Sequence, residues 1–171
     1  MRYKTASQIW RDSLTADTGS NWNESSGAGD HDTKLFACML KGKAQNIIQN
    51  LPITERSWGN YAYADFTETE KQTVQDYLLD EWIKGETNHR GFYKRMVRYL
   101  ILIECAMDDF KHRLATKQPK LRTSDYCRAL DIQDPNWKPW GRRLYELHRE
   151  LDNLDKRALE PLGVLIDEAG K

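Results

Sequence analysis

Apolar residues recur at helical spacing along most of this chain, and no strongly alternating strand pattern occurs. A first short helix is predicted over 5–14, where the apolar side chains share one face. It is followed by residues 15–31, which are rich in Gly, Ser, Asn and Asp and have no hydrophobic period. We therefore expect a flexible loop over 15–31.

The next segments predict a core helix and then an aromatic loop. Helix 33–50 carries an apolar stripe that we expect to be buried. The stripe consists of Leu35, Phe36, Met39, Leu40, Ala44, Ile47 and Ile48. Residues 51–66 predict a loop, and its aromatic side chains are Trp58, Tyr61, Tyr63 and Phe66. Packing over a helical bundle is favoured for them, with ligand binding as the alternative.

Two further helices follow, and the first has a clear start signal. Thr67 and Glu70 have the spacing of a capping box, so a helix is predicted from Thr67 to a stop at Gly85. A long helix is predicted from a cap at Asn88 to about Ala115. Its buried side is expected to hold Phe92, Met96, Tyr99, Leu100, Ile103, Met107 and Phe110.

The last third predicts two helices joined by a short turn. A basic turn broken by Pro119 precedes a helix over 123–130, a turn over 131–135 and a helix over 138–159. Pro161 and Gly163 are expected to loosen the tail. The whole pattern predicts an all-α protein: residues 1–171 form a single domain, a compact helical bundle with a C-terminal helix-turn-helix-like hairpin.

Charge is balanced over the chain but not along it. Basic and acidic residues number 26 each, so the net charge gives no reason to expect nucleic acid or a membrane as partner. Residues 1–86 carry a net charge of −4, residues 87–150 carry +6 and residues 151–171 carry −2. Positive charge is therefore concentrated in the segment that also contains the predicted hairpin.

Cysteine usage and hydropathy point to a cytoplasmic protein. Cys38, Cys105 and Cys127 are odd in number and widely spaced, which is typical of reduced thiols rather than of a disulfide framework. The N-terminal residues lack the apolar core of a signal peptide, and no apolar run is long enough to span a bilayer. We therefore expect no export and no membrane partner.

The predicted hairpin has features of a DNA-binding helix-turn-helix. Such a unit needs a short first helix with a small inward residue, a tight turn, and a second helix held by apolar contacts. Over 123–144 the apolar positions are taken by Tyr126, Leu130, Ile132, Trp137 and Trp140. Cys127 supplies the small residue, and Asp131 occupies the turn position usually held by Gly.

Basic side chains surround this hairpin and predict phosphate contacts. The residues expected to bind DNA are Arg122, Arg128, Asn136, Lys138, Arg142, Arg143 and Arg149, with Lys117 and Lys120 nearby. Asn136 and Arg142 are the first candidates for base edges. Pro135 and Pro139 depart from the pattern, because Pro139 is accommodated best as the first residue of a helix and would start that helix late. The alternative is a structural αα-hairpin with solvated arginines.

Other chemistry is disfavoured by the sequence. Asp30, His31 and Asp32 form the densest group of metal-ligand types, but they lie in the Gly-rich segment without further spaced ligands. Glu104 and Asp108 share a helix face, where they are expected to face water or to pair with Lys111 and Arg113 rather than hold a cation. Because nucleotide-binding and hydrolase motifs are also missing, we predict a non-enzymatic protein with no catalytic residues, no cofactor and no metal.

The closing pattern, TSDYCRALDIQ followed by WKPWGRRLYELHRELDNLDKRAL, resembles the C-terminal helix-turn-helix region of small prophage-encoded regulators. Late-gene antiterminator-like proteins are among them. The resemblance covers residues 121–159. It implies binding to a phage or host DNA site, together with RNA polymerase, through a set of residues in this region. That set is Arg128, Asn136, Lys138, Arg142 and Arg143.

Two hypotheses of function follow. The first is a non-enzymatic DNA-binding regulator of phage or mobile-element type that acts on transcription and binds duplex DNA. The alternative is a protein-interaction module, such as an inhibitor of a host defence complex, that binds its partner through the acidic N-terminal half or the aromatic segment 51–66. Salt-dependent DNA affinity separates the two, because phosphate contacts release counterions.

Overall fold

The computed structural model describes residues 5–14, 31–84 and 91–169. For residues 31–34 it describes the backbone only. All regular structure in these ranges is helical, which confirms the all-α fold class. The helices are α1 (Ala6–Leu14), α2 (His31–Asn50), α3 (Ile53–Tyr63), α4 (Glu68–Lys84), α5 (Phe92–Thr116), α6 (Thr123–Ala129) and α7 (Trp137–Ala169). A 3-10 turn, Asp134–Asn136, precedes α7.

These helices form two compact units. The first unit comprises the described residues up to Phe66 and those from Asp155 onward, and the second unit comprises Thr67–Leu154. The division falls within α7, so this helix contributes residues to both units. Among the described helices, none combines the length and the apolar character that crossing a membrane requires.

The first unit is built around the indole of Trp10. Ile9 and Trp10 on α1 are fully buried, whereas Leu14 at the end of the same predicted face is exposed. A Cβ atom at Gly59 of α3 would lie 2.0 Å from the Trp10 ring, so only glycine leaves room for the indole. The indole nitrogen donates to Asn60 Oδ1 at 3.3 Å. A backbone position without a side chain therefore fixes the contact between α1 and α3.

The predicted aromatic loop is instead mostly the helix α3. Trp58, Tyr61 and Tyr63 are buried on it, which agrees with the expectation that they pack, whereas Phe66 beyond the helix is partly exposed. The Trp58 indole nitrogen and the Tyr63 hydroxyl both donate to Asp155 Oδ1, at 2.9 and 2.7 Å. Burial and the Asp155 carboxylate raise the pKa of Tyr63. One carboxylate thus holds α3 against the C-terminal part of α7.

Helix α2 is a core helix only in its second half. Leu40, Ala44 and Ile48 are buried, but three residues of the predicted stripe are exposed, namely Leu35, Phe36 and Met39. Phe36 and Met39 line an open groove of about 180 Å³ that they share with Leu165. The prediction of burial is wrong for this part because helical spacing places residues on one face without showing whether another element covers it. Of the predicted loop 15–31, residues 15–30 lie outside the described part of the chain, and His31 is already the first residue of α2.

The second unit begins with the capping box predicted from the sequence. The Glu70 backbone nitrogen donates to Thr67 Oγ1 at 3.2 Å, and the Thr67 backbone nitrogen donates to Glu70 Oε2 at 2.7 Å. These bonds satisfy two amides of the first turn of α4 that have no helical partner. The helix ends at Lys84, and the predicted stop at Gly85 and cap at Asn88 lie outside the described residues.

Helices α4, α5 and α7 enclose the core of the second unit. The Trp82 ring stacks on Tyr99 at a centroid distance of 4.5 Å, and the Tyr77 hydroxyl donates to Glu150 Oε1 at 2.7 Å. Of the residues predicted for the buried side of α5, Tyr99, Ile103, Met107 and Phe110 are buried, and Phe92, Met96 and Leu100 are half-buried. Aromatic packing and one partly buried hydrogen bond therefore join α4 to its neighbours.

Helix α7 is longer than the sequence predicts. It begins at Trp137 and continues through Pro161 to Ala169, so the expectation that Pro161 and Gly163 loosen the chain there is wrong. Proline removes one backbone donor and crowds the preceding turn. Leu162 is fully buried and Leu165 nearly so. Burial of these side chains offsets the local cost of Pro161 and carries the helix onward.

Candidate nucleic-acid interface

The turn after α6 has left-handed backbone at Asp131. Asp131 has a φ of 51°, in the left-handed region usually occupied by glycine. The Ile132 nitrogen donates to Cys127 O at 3.0 Å and the Asp131 nitrogen to Arg128 O at 3.2 Å, which is the Schellman pattern of helix termination. Arg98 of α5 donates to the Asp131 carbonyl oxygen at 2.9 Å. The turn is thus fixed by backbone hydrogen bonds to α6 and by a hydrogen bond from the Arg98 side chain of α5.

Both prolines of the predicted hairpin are accommodated without delaying the second helix. Pro135 lies in the 3-10 turn, and α7 begins at Trp137, two residues before Pro139. The expectation that Pro139 is the first helical residue is therefore wrong. Its missing donor falls in the first turn, where backbone nitrogens have no helical partner.

The start of α7 is fixed by aromatic packing on α6. The rings of Tyr126 and Trp137 lie 5.8 Å apart, and Tyr126 is buried. A Cβ at Gly141 would lie 2.8 Å from the Trp137 indole nitrogen. Glycine one turn later therefore lets the indole lie along α7. Tyr126 and Cys127, which the sequence placed on the inward side of the first helix, are both buried.

Four residues form an outward stripe on the first half of α7. Lys138, Arg142, Tyr145 and Arg149 follow at spacings of four, three and four, and all are exposed. The opposite face carries Leu147, Leu151 and Leu154, which are buried. We call the four outward residues the α7 stripe. Three of them are cationic and the fourth is aromatic.

Arginines at the start of α7 differ in their availability. The Arg142 side chain is 84% exposed and its Nε lies 3.3 Å from Glu146 Oε1. Arg143, by contrast, is only 37% exposed, and its Nη1 lies 3.1 Å from Glu146 Oε2. Together with Lys138 and Pro139 these three residues line an open groove of about 620 Å³. The Arg143 side chain is therefore less accessible to a ligand than the Arg142 side chain.

The remaining predicted DNA contacts lie on other elements. Arg122 is the residue before α6 and Arg128 lies in its last turn, and both are exposed; the Arg128 guanidinium lies 3.8 Å from Asp125. The Arg122 backbone nitrogen donates to Asp125 Oδ2 at 2.9 Å, so Asp125 caps the helix. Asn136 is exposed in the 3-10 turn. Of the seven predicted residues, the structure places Lys138, Arg142 and Arg149 together on one face.

The positive charge is a local property of this face. Counted over 67–154, the sequence has 16 basic and 15 acidic residues, so the second unit as a whole is nearly neutral. The acidic excess of α4 belongs to the same unit as the basic segment. Attraction of a polyanion must therefore come from a local group of cations, such as the α7 stripe, and not from net charge.

Comparison of the chain with protein-family models, with curated proteins and with solved structures finds no match. The geometry of the α7 stripe nevertheless defines what it can bind. Exposed cations on one helix face can contact successive phosphates, and an exposed aromatic ring between them can contact a base. The arrangement suits a nucleic acid.

Behind this face lies a buried polar cluster that the sequence did not indicate. Asp109 is 2% exposed. Its Oδ1 accepts hydrogen bonds from the Lys120 and Leu121 backbone nitrogens, at 2.6 and 3.0 Å. Its Oδ2 lies 3.3 Å from Arg113 Nε and 3.8 Å from His148 Nε2. Burial, with Arg113 nearby, lowers the pKa of His148 to about 4. The cluster joins the basic turn, α5 and α7.

The acidic pair on α5 forms ion pairs with lysines of other elements. Glu104 Oε1 lies 2.6 Å from Lys71 Nζ, and Asp108 Oδ2 lies 2.9 Å from Lys120 Nζ. Arg113, one of the partners expected from the sequence, lies instead beside Asp109. The described residues contain no group of three or more side chains suited to a metal. Asp30 and the side chains of His31 and Asp32 lie outside the described part of the structure.

Tyr145 and Glu146 were not singled out from the sequence. The leucines of α7 place Tyr145 on the outward face, three residues after Arg142 and four before Arg149, and this spacing was the available signal. Glu146 lies four residues after Arg142 and three after Arg143, and this ion-pair spacing on a helix was the available signal for its contacts.

Proposed function

We propose that this protein is a non-enzymatic DNA-binding regulator of phage or mobile-element type. The proposal places duplex or partly opened DNA on the outward face of the first half of α7. RNA polymerase is its proposed partner, as the resemblance of residues 121–159 to small prophage-encoded regulators implies. The observation that carries the proposal is the α7 stripe, in which three exposed cations share one helix face.

The contacts of the stripe support this assignment. Lys138 and Arg149 have no ion pair within the described residues, and Arg142 has only a peripheral one with Glu146. An exposed i,i+4 ion pair contributes about 0.5 kcal/mol or less, so a phosphate can displace Glu146 at small cost. All three cations are therefore available to a polyanion.

The packing around α7 supports it as well. A helix that binds in a groove must present its first turns outward while its other face is held by apolar contacts. Trp137 packs on Tyr126, and Leu147 and Leu151 are buried. The turn before α7 is fixed at Asp131 by Arg98. The stripe is thus presented by a rigid element rather than by a loop.

The test is binding to a pool of random duplex DNA at low and moderate salt. Arg142 and Arg149 are changed together to Ala, because Arg143 is half-buried against Glu146 and its loss would disturb packing. We expect salt-sensitive binding by the unmodified protein, weakened at least tenfold at low salt in the variant. Each lost phosphate contact should also lower the slope of log affinity against log salt by about 0.9.

A matched control removes two cations elsewhere. Lys43 on α2 and Lys156 on α7 are exposed and belong to the first unit, so K43A/K156A changes the net charge equally and leaves the stripe intact. It should bind DNA as the unmodified protein does. Equal loss in both variants would show that only net charge matters. No binding at low salt would contradict the proposal and favour the protein-interaction alternative, for which Leu35, Phe36 and Met39 are the first surface to test.

A further inference from the structure

Tyr145 is an exposed aromatic side chain that has no partner among the residues that the structure describes. Its exposed fraction is 69%, and within the described residues it makes no hydrogen bond, ion pair or ring contact. Two other tyrosines of the second unit contribute to its packing: the Tyr77 hydroxyl donates to Glu150, and Tyr99 stacks on Trp82. Packing within the described chain therefore does not account for an aromatic residue at this position.

The cations on either side of Tyr145 define what its ring can meet. Arg142 precedes it by three residues and Arg149 follows by four, so both lie about one helical turn away on the same face. At a rise of 1.5 Å per residue, the two arginines are separated by roughly 10 Å along the axis. Their long side chains can reach phosphates on both sides of a base placed on the ring.

Only an unpaired base can use that ring fully. In a duplex the base faces are covered by neighbouring base pairs, and a protein reaches base edges alone. In a single strand the faces are free, and stacking on an aromatic side chain combined with cationic backbone contacts is the usual mode of binding. The combination of an exposed ring and flanking arginines matches the single strand.

We propose that the α7 stripe binds single-stranded DNA in preference to duplex, with one base stacked on Tyr145 and its flanking phosphates on Arg142 and Arg149. This inference rests on the proposed function and names the form of DNA that the same surface takes. Lys138 extends the cationic path by one further turn. A regulator with this preference would engage DNA where its strands are separated.

The experiment compares a labelled 20-nucleotide oligothymidine with a random 20-base-pair duplex at low salt, using fluorescence anisotropy. We expect the unmodified protein to bind the single strand more tightly. Tyr145→Leu should weaken single-strand binding roughly tenfold, the size expected for loss of one stacked base, and change duplex binding less than about twofold. Tyr145→Phe keeps the ring and should retain the preference.

Tyr93→Leu is the matched control, because Tyr93 is another exposed tyrosine of the second unit and lies on α5. It should leave both affinities unchanged. If Tyr145→Leu has no effect, or weakens both forms of DNA equally, the stacking inference is wrong while DNA binding through the arginines stands. If R142A/R149A leaves both affinities intact, or neither DNA binds at low salt, the proposed function fails and the inference fails with it.

Discussion

At the scale of single residues, the contact between Trp10 and Gly59 leaves no room for an added side-chain atom. The indole is fully buried, and a Cβ at Gly59 would lie 2.0 Å from it. Gly59→Ala must therefore displace α1 or strain α3, which we expect to cost about 3 kcal/mol in the free energy of unfolding. Urea denaturation followed by circular dichroism measures the loss.

Gly42→Ala is the matched control for this substitution. Gly42 is an exposed residue of α2, and a Cβ atom added to it would have no neighbour within 4 Å. Alanine there should stabilise the protein by about 0.5 to 1 kcal/mol through helix propensity. Two Gly→Ala changes in helices should thus have opposite signs. Similar values for both would show that Trp10 does not occupy the space opposite Gly59.

Gly59 also explains why the sequence did not predict helix α3. Gly59 weakens helix propensity in the middle of the segment, and the aromatic residues around it lack a clear helical period. Both features are typical of a loop. In the folded protein Trp10, far away in the sequence, fills the space that Gly59 leaves and so stabilises the helix. Helix prediction from neighbouring residues cannot account for a contact between residues so far apart in the sequence. The Thr67 capping box, by contrast, acts within a single turn and was predicted correctly.

At the scale of elements, Asp109 holds the basic turn between α5 and α6. Asp109→Ala would leave the Lys120 and Leu121 backbone nitrogens without their acceptor and the Arg113 guanidinium without its carboxylate. We expect a loss of about 3 kcal/mol in the free energy of unfolding, since these donors are partly buried. Thermal and urea unfolding provide the measurement.

The neighbouring Asp108 offers a control one residue away. Its carboxylate pairs with Lys120 Nζ, but both side chains are about half exposed. Asp108→Ala should therefore cost less than about 1 kcal/mol. A loss as large as that of Asp109→Ala would mean that the carboxylates act through general charge and not through the backbone bonds of the turn.

Helix ends were predicted with uneven success, and the reason differs between elements. The starts of α4 and α6 and the end of α5 follow from caps and breakers that act within one turn, so the sequence places them closely. The end of α7 depends on burial. Leu162 and Leu165 continue its apolar face beyond Pro161, and their packing outweighs the tendency of Pro161 to end the helix.

In the candidate site, the sequence predicted which cationic residues would lie near the hairpin. It did not predict the half-burial of Arg143, because that depends on tertiary packing.

At the scale of the whole molecule, His148 makes stability depend on pH. Its folded pKa of about 4 lies below its ordinary value of 6.5, because burial and Arg113 disfavour the charged form while Asp109 opposes them only in part. As the pH falls, the unfolded chain binds the proton first. This contribution to stability is therefore complete above pH 6.5 and declines between pH 6.5 and 4, by about 2 kcal/mol from pH 7 to pH 5.

Urea unfolding at pH 7 and pH 5 tests this expectation. His148→Gln should remove most of the decline, whereas His112→Gln, a change at another histidine of the second unit, should leave it. An unchanged decline in the His148 variant would assign the pH dependence to other groups. The comparison uses a window above the ordinary range of carboxylate titration, which limits their contribution.

The division of the chain within α7 also sets an order of folding during synthesis. The second unit is one continuous stretch, so all of its residues are available once the ribosome has released Leu154. The first unit needs Asp155, Ala158 and Leu162 from the second half of α7 to complete its buried contacts. Chains grow from the N-terminus at about 5–20 residues per second. Residues made early are therefore among the last to reach their final contacts, and until then the aromatic side chains of α1 and α3 are available to chaperones.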